Sequence, residues 1–114
     1  MSVTDVCTIF TTCGSEETAL TIASALVDMG HAACVNILPS VKSYYYYQGG
    51  THLDEEVMLK IKTTRDKFED VSRTITELHT YEVPEILMCP VEACSAPFLE
   101  WVKQAVIRDE QNLA

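Results

Sequence analysis

The spacing of apolar and polar positions changes several times along the chain, and each change predicts an element. Val3 to Thr12 is β-branched and apolar with little polar interruption, which predicts a central strand buried on both faces. Ser15 then reads as an N-cap, with Glu16 and Glu17 in the first turn where the helix dipole favours carboxylates. Ala19, Ile22, Ala23, Leu26 and Val27 recur at helical spacing and Gly30 is a natural stop, so a helix is expected from Glu16 to Met29. Ala32 to Gln48 reads as one long strand, or two joined at Pro39-Ser40, because proline cannot donate to a ladder and marks an edge or a bulge. Gly49-Gly50 signals a hairpin turn. Beyond it Val57, Leu59 and Ile61 alternate with Met58, Lys60 and Lys62. Thr63 or Thr64 caps a second helix carrying the stripe Phe68, Val71, Ile75 and Leu78. An apolar strand follows from Ile86 to Val91, and Pro97 opens a last helix with Phe98, Trp101, Val102, Ala105 and Val106 on one face.

The order is β-α-β-β-α-β plus a C-terminal helix. It predicts an α+β, ferredoxin-like domain spanning residues 1–114: a four-stranded antiparallel sheet with two helices on one face. Such a two-layer domain covers one sheet face, yet Val3 to Thr12 and Ala32 to Leu38 are apolar on both. The run Tyr44-Tyr45-Tyr46-Tyr47 makes the conflict sharper, because alternate tyrosines point to opposite faces of a strand. The economical answer is self-association, with other copies of the chain covering the second face and the hairpin. The plainer alternative folds the last helix over the bare face and leaves some tyrosines wet.

The 114 residues are 47% hydrophobic and 22% charged, which suits one folded domain and excludes a disordered chain. Eight basic against seventeen acidic residues leave a net charge of −9, so neither nucleic acid nor an anionic membrane surface is an expected partner. No signal peptide and no apolar run of about 18 residues is read in the chain. Five cysteines, an odd number without a CxxC pair, point to reduced thiols in a cytoplasmic setting. Cys7, Cys34 and Cys89 lie in apolar runs and read as small core residues.

Candidate chemistry concentrates in His79-Thr80-Tyr81-Glu82-Val83-Pro84-Glu85, between a helix end and a strand start. Imidazole with carboxylate suits Cu(II), Zn(II) or Ni(II), or acid–base chemistry near neutral pH. The plain reading is a histidine placed well against a helix dipole beside solvated glutamates. Cys13 lies just before a helix N-terminus, where a thiol is activated as a nucleophile or soft-metal ligand; it is equally a small residue in a tight turn. Cys13, His79 and Glu85 would together serve metal binding or Cys–His catalysis if they met. His31 and His52 read as surface residues. No phosphate loop, glycine-rich fingerprint or HExxH motif is present.

These residues also carry a family resemblance. Ala32-Ala33-Cys34-Val35-Asn36-Ile37, Ser43 with Tyr45 and Gly49, Glu55-Glu56-Val57, Lys62-Thr63-Thr64, His79-x-Tyr81-Glu82-x-Pro84-Glu85 and Leu99-Glu100-Trp101 occur in order from Val3 to about Ile107. The chain resembles the divalent-cation tolerance proteins, the CutA family. The resemblance implies a ferredoxin-like subunit in a compact homotrimer whose hairpins extend neighbouring sheets, akin to PII-type signalling trimers. It also implies weak binding of copper or another divalent metal at inter-subunit clefts through a Cys, a His and a Glu. His79 and Glu85 match that set. The family cysteine falls near Thr11, two positions before Cys13, and Tyr47 and Gly50 stand where Trp and a charged residue are common. Tyr45 and Tyr81 are expected to line the cleft. Three readings follow: a cytoplasmic, non-enzymatic metal-binding trimer; a signalling or interaction trimer taking a small ligand or a partner loop; and an enzyme using Cys13 with His79.

Overall fold

The computed structural model describes residues 4–113, with side chains described through Val106. Strand β1 (Val6–Cys13) leads into helix α1 (Glu16–Asp28), and strands β2 (Cys34–Tyr47) and β3 (Gly50–Thr64) form a long hairpin. A single 3₁₀ turn (Arg65–Lys67), helix α2 (Phe68–Leu78), strand β4 (Leu87–Pro90) and helix α3 (Ala96–Leu113) complete the chain. The sheet order is β2-β3-β1-β4, antiparallel throughout, which is the ferredoxin-like topology.

Local chemistry explains the boundaries. The Ser15 hydroxyl accepts from the Thr18 N–H at 3.2 Å, capping α1. At its other end Gly30 takes φ +75°, its N–H reaches the Val27 carbonyl and the His31 N–H the Leu26 carbonyl, a Schellman closure that favours glycine. The β2–β3 turn is Gln48-Gly49, both at positive φ, with Tyr47 paired to Gly50. It therefore lies one residue earlier than the Gly-Gly pair suggested. The register shifts between Leu38 and Val41, with Ser40 at φ +62°, so the Pro39-Ser40 step is a bulge inside one strand.

The two sheet faces differ sharply. Cys7, Ile9, Thr11 and Cys13 of β1, with Leu59, Ile61 and Thr63 of β3, are almost wholly buried. Most of these pack with Ile22 and Leu26 of α1 and Val71 and Ile75 of α2 in one core. Thr8, Phe10 and Thr12 point the other way, registered with Lys62, Lys60 and Met58. Helix α3 covers part of this open face, with the Lys62 ammonium 5.9 Å from the Phe98 ring centroid. Trp101 nevertheless stays about half exposed, and Tyr45 and Tyr47 near the hairpin turn are exposed as well.

Three sequence expectations need correction. Cys89 is exposed and Cys34 half-buried, because both register on the open face, Cys89 opposite Thr8 and Cys34 opposite Lys62. His31 is buried rather than superficial: the Schellman turn folds it inward, and its carbonyl accepts the Thr63 hydroxyl at 2.6 Å. Leu78 is exposed at the fraying end of its helix.

Candidate functional site

Two hydrogen bonds made by one imidazole position the site. The backbone N–H of Tyr81 donates to Nδ1 of His79 at 3.0 Å, which makes Nδ1 an acceptor and leaves the proton on Nε2. Nε2–H then donates to the Thr12 carbonyl at 2.7 Å. The ring thus ties the end of α2 to the end of β1, and both its nitrogens are occupied. The same contacts bring Tyr81 across the strand–helix turn at Gly14, where a β-carbon would stand 3.3 Å from the tyrosine oxygen. A side chain there would make the phenol give way by a few tenths of an ångström.

Tyr81 crosses that turn and donates its hydroxyl to Glu56 Oε2 at 2.5 Å. Glu56 is buried, so this bond satisfies a carboxylate otherwise short of partners. Burial and the neighbouring Glu56 carboxylate push the Tyr81 phenol well above its ordinary range, so it remains a donor. A parallel pair lies alongside it, in which the Tyr45 hydroxyl donates to Asp54 and its ring stacks on His52. That hydrogen bond raises the Tyr45 phenol too. Tyr81→Phe is expected to lower unfolding free energy by about 1–3 kcal/mol, because Glu56 loses its donor while staying buried. A denaturant midpoint equal to that of the parent protein would disprove this role.

The two pairs border a cleft of about 380 Å³, lined by Thr12, Ser43, Tyr45, Tyr47, Glu56, Tyr81, Glu82, Val83 and Glu85. Three phenol rings and three carboxylates around one concavity favour a cationic or aromatic guest. The sequence reading singled out Tyr45, Tyr81 and Glu85, and the structure brings them to this one cleft. It missed Thr12, Ser43, Tyr47, Glu56 and Val83 as lining residues. Strand alternation held the usable signal, since Ser43, Tyr45 and Tyr47 must share a face once the bulge sets the register.

Cys13 is placed differently. Alternation turns it into the helix-covered core, fully buried opposite Val57. Burial, aided by the Glu56 charge, pushes its thiol up to about 11. A thiol so held is a poor nucleophile and a poor soft ligand, and no Cys13–His79 dyad is assembled. Among the described residues no group of three His, Cys, Asp or Glu side chains is arranged to hold a metal ion. A Cys13–His79–Glu85 set within one chain therefore does not fit this structure: the thiol is protonated and buried, and the imidazole has no free nitrogen.

Comparison with known proteins gives a consistent result. Residues 7–105 match the family model described as CutA1 divalent ion tolerance protein. The chain is 42% identical over 90 residues to the divalent-cation tolerance protein CutA of Thermus thermophilus, covering 79% of this chain and 87% of that protein. It is 39% identical over 95 residues to human protein CutA, covering 83% of this chain but only 53% of the human sequence. The chain thus spans about half the length of that relative. Among solved structures, CutA from Xylella fastidiosa superposes with a TM-score of 0.88 at 32% identity, covering 90% of this chain and 99% of that one.

Proposed function

Since this chain belongs to the CutA1 divalent ion tolerance family, we propose that it serves divalent-cation tolerance as a cytoplasmic homotrimer whose clefts take up copper or another divalent ion where subunits meet. The observation that carries this reading is the cleft lining: Glu56, Glu82 and Glu85 among tyrosines, on a sheet face that one chain leaves bare. Self-assembly draws support from the surface. Its 6986 Å² exceeds the roughly 6,200 Å² expected of a compact chain of this mass, and Tyr44, Tyr46 and Leu53 are exposed on the hairpin's other face. Free cysteines at all five positions suit a reducing compartment.

In this reading Glu85 stands toward the ion, together with Glu82. His79 acts as a positioning residue, anchoring the loop that carries both glutamates. One chain offers too few donors for a tight site, so uptake is weak and depends on a second copy or on water. The test is a Cu(II) titration of chelator-free protein, accompanied by a native mass spectrum. The expected mass is three times the 12.7 kDa of one chain. The paired change Glu82→Gln, Glu85→Gln is expected to weaken Cu(II) binding at least tenfold, about 1.4 kcal/mol. Unchanged affinity would remove the cleft from metal binding, and a monomeric mass would remove the assembly.

The three tyrosines favour a second reading, a PII-like signalling trimer whose cleft takes a small organic ligand with metal incidental. A volume of about 380 Å³ lies within the range of small-molecule sites. Ligand binding retained in excess chelator would favour it over the metal reading.

A further inference from the structure

At the opposite end of the sheet a second cleft, of about 440 Å³, is lined by Asp5, Thr64, Arg65, Asp66, Lys67, Lys103 and Val106. In a chain of net charge −9 this is a local concentration of three cations. Two of them lack counter-ions. Nε and Nη2 of Arg65 are buried without a hydrogen-bond partner, and these nitrogens form the side-on edge of the guanidinium that grips an oxyanion with two parallel bonds. Lys67 is only 7% exposed, and among the described residues neither it nor Arg65 has a carboxylate within ion-pair distance. Guanidinium donors buried with nothing to answer them are costly, and an oxyanion would remove that cost.

The nearby acids are otherwise engaged. The Thr64 hydroxyl donates to Asp66, and the Lys103 ammonium sits 3.9 Å from Asp5, which is largely exposed. The Cys7 thiol, close enough to feel the Arg65 charge, is no substitute: burial pushes it up to about 11 and it stays neutral. We propose that this cleft binds a small oxyanion, a phosphate or a carboxylate, held by the side-on edge of Arg65 and by Lys67, with Lys103 at the rim. The site is independent of the tyrosine-lined cleft.

The test titrates the full chain with inorganic phosphate and, separately, with acetate at constant ionic strength, since screening alone moves exposed charges. The readouts are the thermal midpoint and the backbone amide signals of Arg65, Asp66 and Lys67. A saturable response to at least one anion is expected, weakened about tenfold by Arg65→Lys, which keeps the charge and removes the fork. Lys103→Gln, at a half-exposed position that tolerates change, is expected to weaken it about threefold. It keeps the test decisive should Arg65→Lys fail to fold. Tighter phosphate binding identifies a tetrahedral anion as the guest, and tighter acetate binding a carboxylate. Absence of a saturable response to either, or an equal response in the folded variants, would overturn the proposal.

Discussion

Ile61→Ala is expected to lower the stability of this protein by about 2–5 kcal/mol, enough to unfold much of it near physiological temperature. Ile61 lies where β3 is flanked by strands on both sides, with Ile9 of β1 opposite on one side and Val35 of β2 on the other, and it is wholly buried. Removing three carbons there leaves a cavity between strands that ladder hydrogen bonds hold at fixed spacing, so the walls cannot collapse far. Leu20→Ala makes the contrast. Leu20 is 57% exposed on α1, and its loss should fall within about 0.5 kcal/mol. Urea midpoints of the two variants measure the difference. A similar small loss in both would contradict the assignment of the core to the helix-covered face.

The paired substitution Tyr45→Asp, Tyr47→Asp is expected to abolish self-association. Both rings lie on the bare face of the hairpin, in register with His52 and Gly50. The Tyr45 hydroxyl already donates to Asp54. A carboxylate in its place meets Asp54 and Glu56 as like charges and cannot donate to either. Sedimentation equilibrium should find monomer or unfolded chain. Tyr45→Phe, which loses the hydroxyl and keeps the ring, should still assemble. A monodisperse trimer of the doubly charged variant would refute the hairpin as an interface.

Much of the fold was legible because its signals are local. Ser15, Gly30 and the alternation of Val57, Leu59 and Ile61 each declare their role within a few residues, and the structure uses them so. The Pro39-Ser40 irregularity was readable as a bulge from the missing proline donor. Family membership was likewise readable from the His79-x-Tyr81-Glu82-x-Pro84-Glu85 string. The cysteine misreadings share one cause, since residue type does not say which face a strand turns inward. Cys34 and Cys89 looked like core residues and register on the open face. Cys13 looked like a site residue and turns into the core.

The site was harder to read for a further reason. Glu56 and Tyr81 lie 25 residues apart, and only the β1–β3 register together with the imidazole anchor on Thr12 brings them into contact. No spacing rule along the chain encodes such a pair. The Arg65 donors escape sequence reading similarly, because an unpartnered guanidinium shows only once its surroundings are packed.

The β2–β3 hairpin outruns the rest of the sheet, with a consequence for solubility. The last β1 partner of β3 is Val57, so from Gly50 to Glu56 the strand is laddered on one side only. An open edge of seven residues bearing exposed Leu53 would ordinarily recruit any extended chain it met. Here it ends in Asp54-Glu55-Glu56, three carboxylates in a row. The exposed pair Asp54 and Glu55 acts as a gatekeeper, repelling indiscriminate strand pairing at low salt and losing that protection as ionic strength rises. The acidity of this chain is thus in part a safeguard against aggregation, concentrated where the backbone is most available to strangers.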